Sequence, residues 1–572
     1  MKRGTAEVFY REALNRGEHM QKPTITKMII GLGCSAALIG GAHAAEPSSP
    51  HLEKRGTSTQ LVVNGEPYLM LGGELTNSAS SDPSYMEPIW PKLKAMGLNT
   101  VLTPVSWQQI EPQQGKFDFS VIDRIIADSR QSNLRLVLLW FGSWKNSMSC
   151  YAPSWVKRDD QTYPRAMLPD GTGTEILSAL SQANIHADAT AFRALMAHIK
   201  QIDQHEHTVL MVQVENEIGM LPVAREHGPI ADAAYNAEVP AALMRYLEIH
   251  KATLRPRLKE IWERAGAHDH GNWPAVFGPG QDSEEIFTAW FDAQYATEVA
   301  VAGRAAYDLP MYANVALNRP GKTPGEYPSG GPLPHLVDIW KAGAPELSFL
   351  SPDIYFDNFE RMLNYYHRPD NPVFVPETNG VDTRRAGANA AYAFGADDAM
   401  GFSPFAIDRF AGSHDDFDYV HSVYSALGHI APEILAGQHA GRIAGFQVPM
   451  TYGGAVDDTA QTRVLGDYKF TVSYDDPRTP DSPKRLMTRG GLIIQTGPDS
   501  FIAAGSGFTL SLSPAAPGPT KVGIDTDWEE HETKQGWQRG RLLNGDDTVE
   551  GRVIRLPDGD FSVQRFTLYR YH

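Results

Sequence analysis

The sequence predicts an α/β fold, a (β/α)8 TIM barrel followed by a C-terminal antiparallel β-sandwich. Three observations lead to this prediction. Between about residues 60 and 410, eight short apolar runs alternate with stretches of helical spacing, the pattern of a parallel barrel whose strands are covered on both faces. The fourth and seventh runs are closely followed by Glu217 and Glu377. After about residue 430, short β-like runs are separated by Gly and Asp turns, which is typical of an antiparallel sandwich.

The barrel strands can be placed one by one along the chain. The eight candidates are residues 69–74, 99–104, 134–141, 209–214, 310–315, 347–351, 373–375 and 399–405. The interval between the fourth and fifth candidates is much longer than one barrel helix needs, and its apolar spacing is helical. We therefore expect a helical insertion near residues 229–300, beside the mouth of the barrel. The predicted domains are a signal peptide at 1–44, the barrel at 45–428 and the β-sandwich accessory domain at 429–572.

Composition limits the classes of partner. Of the 572 residues, 42% are hydrophobic and 21% are charged, as in ordinary globular proteins, so global disorder is excluded. The formal net charge is -17. Such an acidic surface repels phosphate backbones, which argues against nucleic acid and anionic membranes as partners. A neutral substrate fits this charge better.

The N-terminus predicts export. Lys22 and Lys27 precede the apolar residues 28–39, and the small-x-small sequence Ala-His-Ala follows at 42–44. This is the arrangement of a secretory signal peptide, and the apolar run is too short to span a membrane. The sequence thus predicts a periplasmic or extracellular protein with no transmembrane segment.

Two points at the N-terminus stay open. Met20 is an alternative start that would give a signal of conventional length. Cys34 is an alternative site of lipid anchoring, although the apolar run continues past it. Once the signal is removed, Cys150 is the remaining cysteine, so no internal disulfide is expected.

The two glutamates carry the chemistry. Glu217 follows the fourth apolar run in Val-Glu-Asn-Glu-Ile-Gly at 214–219, and Glu377 follows the seventh in Pro-Glu-Thr at 376–378. The carboxyl ends of the strands of one barrel converge on one pocket. Two carboxylates in such a pocket can cleave a glycosidic bond, one as proton donor and the other as an ionised nucleophile. Asn216 is placed to bind a sugar 2-hydroxyl.

These motifs resemble glycoside hydrolase family 35, the β-galactosidases, over roughly residues 55–430. The resemblance implies that Glu217 is the acid/base and Glu377 the nucleophile of a retaining mechanism. The C-terminal β domain resembles the accessory domain of a bacterial subgroup whose members include galactosidases of plant xyloglucan breakdown. The resemblance therefore implies a secreted exo-β-galactosidase acting on galactose-containing oligosaccharides. The alternatives are another retaining β-glycosidase of the same clan and a non-catalytic carbohydrate-binding barrel.

The chain departs from better-known family members after the third strand. Those members have an acidic, Trp-containing motif there, whereas this chain has Phe-Gly-Ser-Trp-Lys-Asn at 141–146. Trp144 can stack on a sugar face and Asn146 can bind hydroxyls. Tyr355, after the sixth strand, is positioned to orient the nucleophile, and Glu74, after the first, either reaches the pocket or has a structural role. The expected substrate-binding residues are thus Asn216, Trp144, Asn146, Tyr355 and Glu74.

Glu215 and the histidines have other interpretations. Glu215 shares the strand face of Glu217 and is expected to support the site from inside the barrel. His-Glu-His at 205–207 lacks the spacing of a zinc motif. The acidic run at 415–418 lacks a full calcium loop. The sequence therefore predicts neither a metal site nor a cofactor.

Overall fold

The computed structural model describes residues 48–475 and 486–572. The predicted signal peptide, with Met20 and Cys34, lies outside the described residues. Pro47–His572 form one compact unit. Among the described residues, no helix combines the length and the apolar character that a membrane span requires.

The strands are numbered here in chain order. In the first part of the chain they are β1 (His51–Arg55), β2 (Ser58–Val63), β3 (Glu66–Tyr68), β4 (Met70–Leu71), β5 (Thr100–Ser106), β6 (Arg135–Lys145), β7 (Arg165–Met167), β8 (Gly173–Leu177), β9 (Val209–Asn216), β10 (Met311–Ala316), β11 (Phe349–Ile354), β12 (Val375–Thr378) and β13 (Gly401–Pro404). In the C-terminal part they are β14 (Ile443–Gln447), β15 (Gln461–Leu465), β16 (Tyr468–Ser473), β17 (Gly490–Gln495), β18 (Ser500–Ser506), β19 (Phe508–Pro514), β20 (Lys521–Thr533), β21 (Gly536–Leu542), β22 (Val553–Leu556) and β23 (Ser562–Tyr571).

The helices lie mainly in the first part of the chain, between the strands. They are α1 (Pro83–Met86), α2 (Trp90–Ala95), α3 (Trp107–Ile110), α4 (Ser120–Gln131), α5 (Ser154–Lys157), α6 (Gln182–Asp203), α7 (Pro229–Asn236), α8 (Ala241–His250), α9 (Pro256–Arg264), α10 (Trp273–Phe277), α11 (Gln281–Ala306), α12 (Val337–Gly343), α13 (Phe359–Asn364), α14 (Ala386–Ala396), α15 (Ile407–Phe410), α16 (His414–His429) and α17 (Ala431–Ala440).

Eight parallel strands form the barrel, in the spatial order β4, β13, β12, β11, β10, β9, β6, β5. Single parallel bridges from Glu74 to Leu102 and to Phe405 continue β4 and bring it against β5, so the barrel closes there. Each of the eight predicted apolar runs overlaps one of these strands, which confirms the predicted fold class. The short antiparallel sheet β1–β3 and the hairpin β7–β8 were not predicted, because runs of three to six mixed residues carry little periodic signal.

Side chains fill the barrel interior. Alternate strand residues point inward, and the closed interior of an eight-stranded barrel is just wide enough to be filled by them. The interior cluster includes Leu102, Val137, Leu139, Met211, Tyr312, Phe349, Phe374 and Met400. This packed floor leaves the carboxyl ends of the strands as the place where a ligand can bind.

Helices surround the barrel and fill the long interval after its fourth strand. Five helices, α7 to α11, lie between β9 and β10, in the segment predicted as a helical insertion. The longest, α11, has 26 residues and packs along α6. Helix α11 also contacts α12 and β9, so it is packed against the barrel.

The C-terminal part is a sandwich of two antiparallel sheets, as predicted. Six strands (β14, β17, β18, β23, β20, β21) face four (β15, β16, β19, β22), and aromatic and aliphatic side chains from both sheets form its core. The first of these strands begins at Ile443, after α16 and α17. Helix α14 packs on β14, where Gly395 and Gly445 lie so close that a Cβ on Gly395 would be 2.7 Å from the Gly445 nitrogen.

Candidate active site

Glu217 and Glu377 meet at the carboxyl ends of two barrel strands. Glu217 directly follows β9, and Glu377 lies in β12. Both are buried, with 4% and 6% of their surfaces exposed. One oxygen each of Glu217, Glu377 and a third carboxyl, Asp353, lie within 4.8 Å of one another. The structure therefore brings together the two glutamates that the sequence singled out.

Asp353 enters the site from the strand beside Glu377. It lies in β11, directly opposite Glu377 in the parallel register of β11 and β12. Its Oδ2 accepts a hydrogen bond of 2.6 Å from Asn314 Nδ2. Asn314, in β10, in turn accepts one of 2.9 Å from the Glu217 backbone N–H through its Oδ1. Asn314 thus connects the backbone of one glutamate to the carboxyl that lies between both.

The Glu217 carboxyl is held in a setting that favours its protonated form. Asn146 donates a side-chain hydrogen bond to Glu217 Oε2. Burial, followed by the negative charge of Glu377, raises the pKa of Glu217 to about 7, while Lys145 acts in the opposite direction. Glu217 also has a backbone φ of +46°, an uncommon conformation for a residue with a Cβ and one that recurs at functional sites.

One carboxyl oxygen of Glu377 accepts a hydrogen bond, and the other has no hydrogen-bond partner. The Tyr355 hydroxyl donates to Oε1, while Oε2 is buried without a hydrogen-bond partner. Tyr355 is 40% exposed, so it stands between the nucleophile candidate and solvent. Glu74, fully buried at the closure of the barrel, lies close enough to Glu377 that the negative charge of Glu377 adds to burial in raising the pKa of Glu74. The sequence-predicted residues Tyr355 and Glu74 therefore both lie against Glu377.

Asn216 directly precedes Glu217, and only one of the two polar atoms of its side-chain amide has a hydrogen-bond partner. Its Oδ1 accepts a hydrogen bond of 2.9 Å from Lys145 Nζ, and its buried Nδ2 has no hydrogen-bond partner. Lys145 is itself buried and lies over the Phe141 ring, 5.1 Å from the ring centroid. An unpartnered buried donor costs free energy unless a ligand satisfies it, so Asn216 Nδ2 is a ready donor for a substrate hydroxyl.

Trp144 is packed into the wall of the site. It is 2% exposed and meets Tyr295 edge to face, with ring centroids 4.6 Å apart. The structure therefore shows a packing contact for Trp144, and its contact with a sugar stays a prediction. Asn146, two residues later, is the member of this segment that reaches Glu217.

Glu215 was expected to support the site from inside the barrel, but its carboxyl lies toward Asp188 of the surrounding helix α6, and its backbone φ of +61° interrupts the strand alternation. Its Oε2 accepts a hydrogen bond of 2.8 Å from the Trp144 backbone N–H, and its other oxygen lies against Asp188 of α6. Burial and the neighbouring Asp188 raise the pKa of Glu215 well above its usual range. Asp188 in turn accepts from Ser143 N (2.9 Å), Ser143 Oγ (2.6 Å) and Trp140 Nε1 (2.8 Å). This buried carboxyl pair fixes the end of β6, from which Lys145 and Asn146 project.

Several buried carboxyl groups of the site have pKa values above the ordinary range. Burial, then Glu377, raises the pKa values of both Glu74 and Asp353 well above the ordinary range. Lys145 is the cation that opposes these shifts at Glu74 and Glu217. In the described part of the chain, the oxygens of Glu217, Asp353 and Glu377 are also close enough to ligate one cation. The raised pKa values favour shared protons there at neutral pH.

Sequence reasoning missed Asn314, Asp353 and Lys145. Asn314 lies within the fifth predicted apolar run, and Asp353 comes two residues after the sixth. A polar side chain at the end of a buried strand was the signal that identified Glu217 and Glu377, and the same signal was available for these two. Lys145 lies in the Phe-Gly-Ser-Trp-Lys-Asn segment at 141–146, but nothing in the sequence indicates that its charge faces the carboxyl groups.

The family profiles that match this chain cover its two halves separately. The profile of the β-galactosidases of glycoside hydrolase family 42 matches residues 80–288, which include Glu217 and end before Glu377. A domain of unknown function (DUF5597) matches residues 420–555. The matching enzyme profile is thus that of family 42, whereas the motifs around the two glutamates predicted family 35. Both are β-galactosidase families.

Curated relatives of this chain are described as β-galactosidases or as similar to them. A β-galactosidase of Xanthomonas manihotis is 30% identical over 221 residues, which are 37% of this chain and 33% of that protein. The human β-galactosidase-1-like protein 3 is 26% identical over 253 residues, 41% of this chain and 34% of that protein. The chain thus spans about a third of the length of these relatives. The crystal structure of a β-galactosidase from the psychrophilic Marinomonas ef1 has a TM-score of 0.43 and 11% identity, covering 65% of this chain and 62% of that one. The region around the candidate active site is therefore similar to the β-galactosidases, a class of glycoside hydrolases.

Proposed function

We propose that this protein is a retaining β-galactosidase that removes terminal β-galactosyl residues by double displacement. The observation that carries the proposal is the pair of buried carboxyl groups at the ends of β9 and β12, with oxygens within 4.8 Å. Retaining glycosidases have carboxyl groups about 5–5.5 Å apart, and inverting ones about 6.5–9.5 Å. The short separation supports the retaining mechanism, and the similarity to β-galactosidases supports galactose as the sugar.

The groups divide the chemistry between them. With a pKa of about 7, Glu217 keeps its proton below neutral pH and can donate it to the leaving oxygen. Glu377 Oε2, which has no hydrogen-bond partner, attacks the anomeric carbon as the glycosidic C–O bond breaks. In the second step Glu217, now ionised, takes a proton from water, and the water oxygen displaces Glu377. Free galactose leaves, and both carboxyl groups return to their starting states.

The nucleophile assignment is tested by Glu377→Ala. Turnover of nitrophenyl β-galactoside should fall by several orders of magnitude, and added azide or formate should restore part of it by replacing the carboxylate. With azide the product should be α-galactosyl azide, because the anion attacks from the side that Glu377 occupied. The matched control is Glu346→Ala, which removes an exposed glutamate and should retain activity. Absence of rescue by any small anion would contradict the role of Glu377.

The sugar is tested with a panel of nitrophenyl glycosides. The proposal requires that the β-galactoside be the best substrate. Strong turnover of another glycoside beside negligible turnover of the galactoside would favour a different retaining β-glycosidase. Binding of sugars with no hydrolysis of any member would favour a carbohydrate-binding barrel.

We further propose that the enzyme is exported and acts on galactose-bearing oligosaccharides of plant polysaccharides such as xyloglucan. The residues that support export are those of the predicted signal peptide at 1–44, and the resemblance of the motifs to family 35 supports the substrate. Fractionation of cells with an antibody to the protein tests the location. Release of galactose from xyloglucan oligosaccharides, measured by chromatography, tests the substrate.

A further inference from the structure

We propose that a cleft beside the catalytic carboxyl groups is a second sugar-binding subsite, which makes an oligosaccharide a better substrate than a single galactoside. The inference rests on the proposed function. The cleft has a volume of about 510 Å³, within the range of about 300–1,000 Å³ typical of ligand pockets. Its walls come from the segment after β4, the end of β5 and the segment after β6. All three lie at the carboxyl-end face of the barrel, where the candidate active site also lies.

The chain sets an upper limit on the distance between the cleft and the residues that contact Glu217 and Glu377. Asn77 lines one wall, three residues after Glu74, which contacts Glu377. Cys150 lines another wall, four residues after Asn146, which bonds to Glu217. Three and four extended residues span at most about 11 and 14 Å. The same two segments therefore hold the catalytic carboxyl groups at one end and border the cleft at the other.

The chemistry of the cleft suits a neutral sugar. None of the described residues that line it is charged, and most carry hydroxyl or amide groups. Ser106 is nine-tenths buried, and its hydroxyl has no hydrogen-bond partner; the side-chain oxygen of Asn77 also has none. Tyr151 adds an aromatic surface, supported from behind by Phe141 at a centroid distance of 5.0 Å. Hydroxyl-binding groups with one aromatic face are what a pyranose ring requires.

A larger cleft elsewhere shows the contrast. The groove of about 860 Å³ between the barrel and the β-sandwich is lined by several aspartates, among them Asp382, Asp415 and Asp418. The smaller cleft has no charged residue in its lining, so it suits a neutral chain of sugars better than this groove does.

Tyr151→Ala and Gln108→Ala test the subsite by substrate comparison. Each variant is assayed on β-galactosyl fluoride, which has one sugar, and on lactose, galactobiose and galactosylated xyloglucan oligosaccharides, which have more. We expect the ratio of kcat/KM for the best oligosaccharide to that for the fluoride to fall about tenfold, the effect of losing about 1.4 kcal/mol of binding. The control Gln161→Ala, at an exposed position, should leave this ratio unchanged. An unchanged ratio in both cleft variants overturns the subsite, whereas failure of the parent enzyme to hydrolyse the fluoride overturns the proposed function instead.

Cys150 provides a second readout that does not depend on turnover. It is exposed at the rim of the cleft, so a maleimide should label it, and peptide mass spectrometry reports the rate at this residue alone. In a Glu377→Gln background, the oligosaccharides should slow labelling at least threefold, and galactose alone should not. Tyr151→Ala should abolish this protection. Equal protection by galactose and oligosaccharides, or none by either, contradicts the subsite.

Discussion

The Glu217 carboxyl illustrates how a single residue acquires its role from its surroundings. Burial and the charge of Glu377 raise its pKa to about 7, so its proton is present below that pH and lost above it. For the parent enzyme, kcat/KM should therefore decline above about pH 7. In Glu217→Gln, substrates with poor leaving groups should lose about 10²–10⁴-fold, the usual contribution of a general acid.

Substrates with good leaving groups distinguish loss of proton donation from a general loss of activity in Glu217→Gln. A dinitrophenyl galactoside needs no proton at its leaving oxygen, so its kcat/KM in Glu217→Gln should change little and should no longer decline above pH 7. Steady-state kinetics from pH 5 to 9 measure both effects. Equal losses on good and poor leaving groups would exclude Glu217 as the acid.

Asp353 is a residue whose influence on Glu217 can be measured. Its contact with Glu217 lowers the pKa of that glutamate, against the larger effect of burial, because a protonated Asp353 can donate to the Glu217 carboxylate. Asp353→Ala removes the donor, so the pKa of Glu217 should rise and the decline of kcat/KM should move to higher pH. Asp353→Asn keeps a donor and should shift the profile less. Identical pH profiles in both variants and the parent would show that Asp353 has only a structural role.

At the scale of an element, the end of β6 depends on one carboxyl of a neighbouring helix. Asp188 of α6 accepts from Ser143 and Trp140, and a buried donor left without its acceptor costs about 1–3 kcal/mol. We expect Asp188→Ala to lower the melting temperature and also kcat/KM, because Lys145 is the last residue of this strand and Asn146 follows it. Asp188→Asn retains an acceptor and should be milder. Loss of stability with unchanged kcat/KM would show that β6 positions nothing in the site.

Gly142, in β6, lies very close to two buried carboxyl groups. A Cβ there would lie 2.6 Å from Glu215 Oε1 and 2.7 Å from Asp188 Oδ1, so the carboxyl pair can approach the strand only because residue 142 is glycine. The sequence Phe-Gly-Ser-Trp-Lys-Asn at 141–146 was expected to matter for the sugar. The structure adds that its backbone is fixed by buried carboxyl groups from two other elements.

At the scale of the whole molecule, several buried acids make stability depend on pH. The pKa values of Glu217, Glu226 and Asp527 are each raised to about 7, in each case mainly by burial. Between their ordinary values and pH 7 the folded protein binds more protons than the unfolded chain, so stability falls as pH rises through this window. The melting temperature should therefore be higher at pH 5 than at pH 8.

Differential scanning calorimetry across this range is the measurement, and Glu226→Gln is the matched variant. Removing one of the three groups should make the decline shallower without changing its sign. A melting temperature that rises from pH 5 to pH 8 would contradict the burial of these acids in the folded state.

The barrel and the β-sandwich behave as parts of one compact unit. Arg565 of β23 pairs with Glu433 of α17 and with Glu530 of β20, each at 2.9 Å, and the Trp537 and His429 rings stack with centroids 4.8 Å apart. The sandwich thus packs on the last helices of the barrel. The sequence shows a change to short β-like runs after about residue 430. Periodicity alone, however, does not show that helices α16 and α17 make the contact between the barrel and the β-sandwich.

Much of the fold could be predicted from the sequence because its signals are local. An apolar run covered on both faces identifies a barrel strand wherever it occurs, and counting such runs placed Glu217 after the fourth strand and Glu377 in the seventh. Asn314 and Asp353 were missed because a polar residue at a strand end is informative only when its neighbour across the sheet is known. The residue that lies opposite a given position in a neighbouring strand cannot be read from the sequence of either strand, since the two strands are about 40 residues apart in the chain.

The sequence by itself determined the strand order, the two glutamates and their convergence, because parallel strands of one barrel present their carboxyl ends at one face. Only the tertiary structure decided the protonation of the site, since the pKa of Glu217 follows from burial and from charges on other strands. It also decided that Trp144 is packed while Asn216 keeps a donor without a partner, and that an uncharged cleft opens at the same face of the barrel. These properties depend on distances between residues far apart in the chain, which local sequence patterns do not specify.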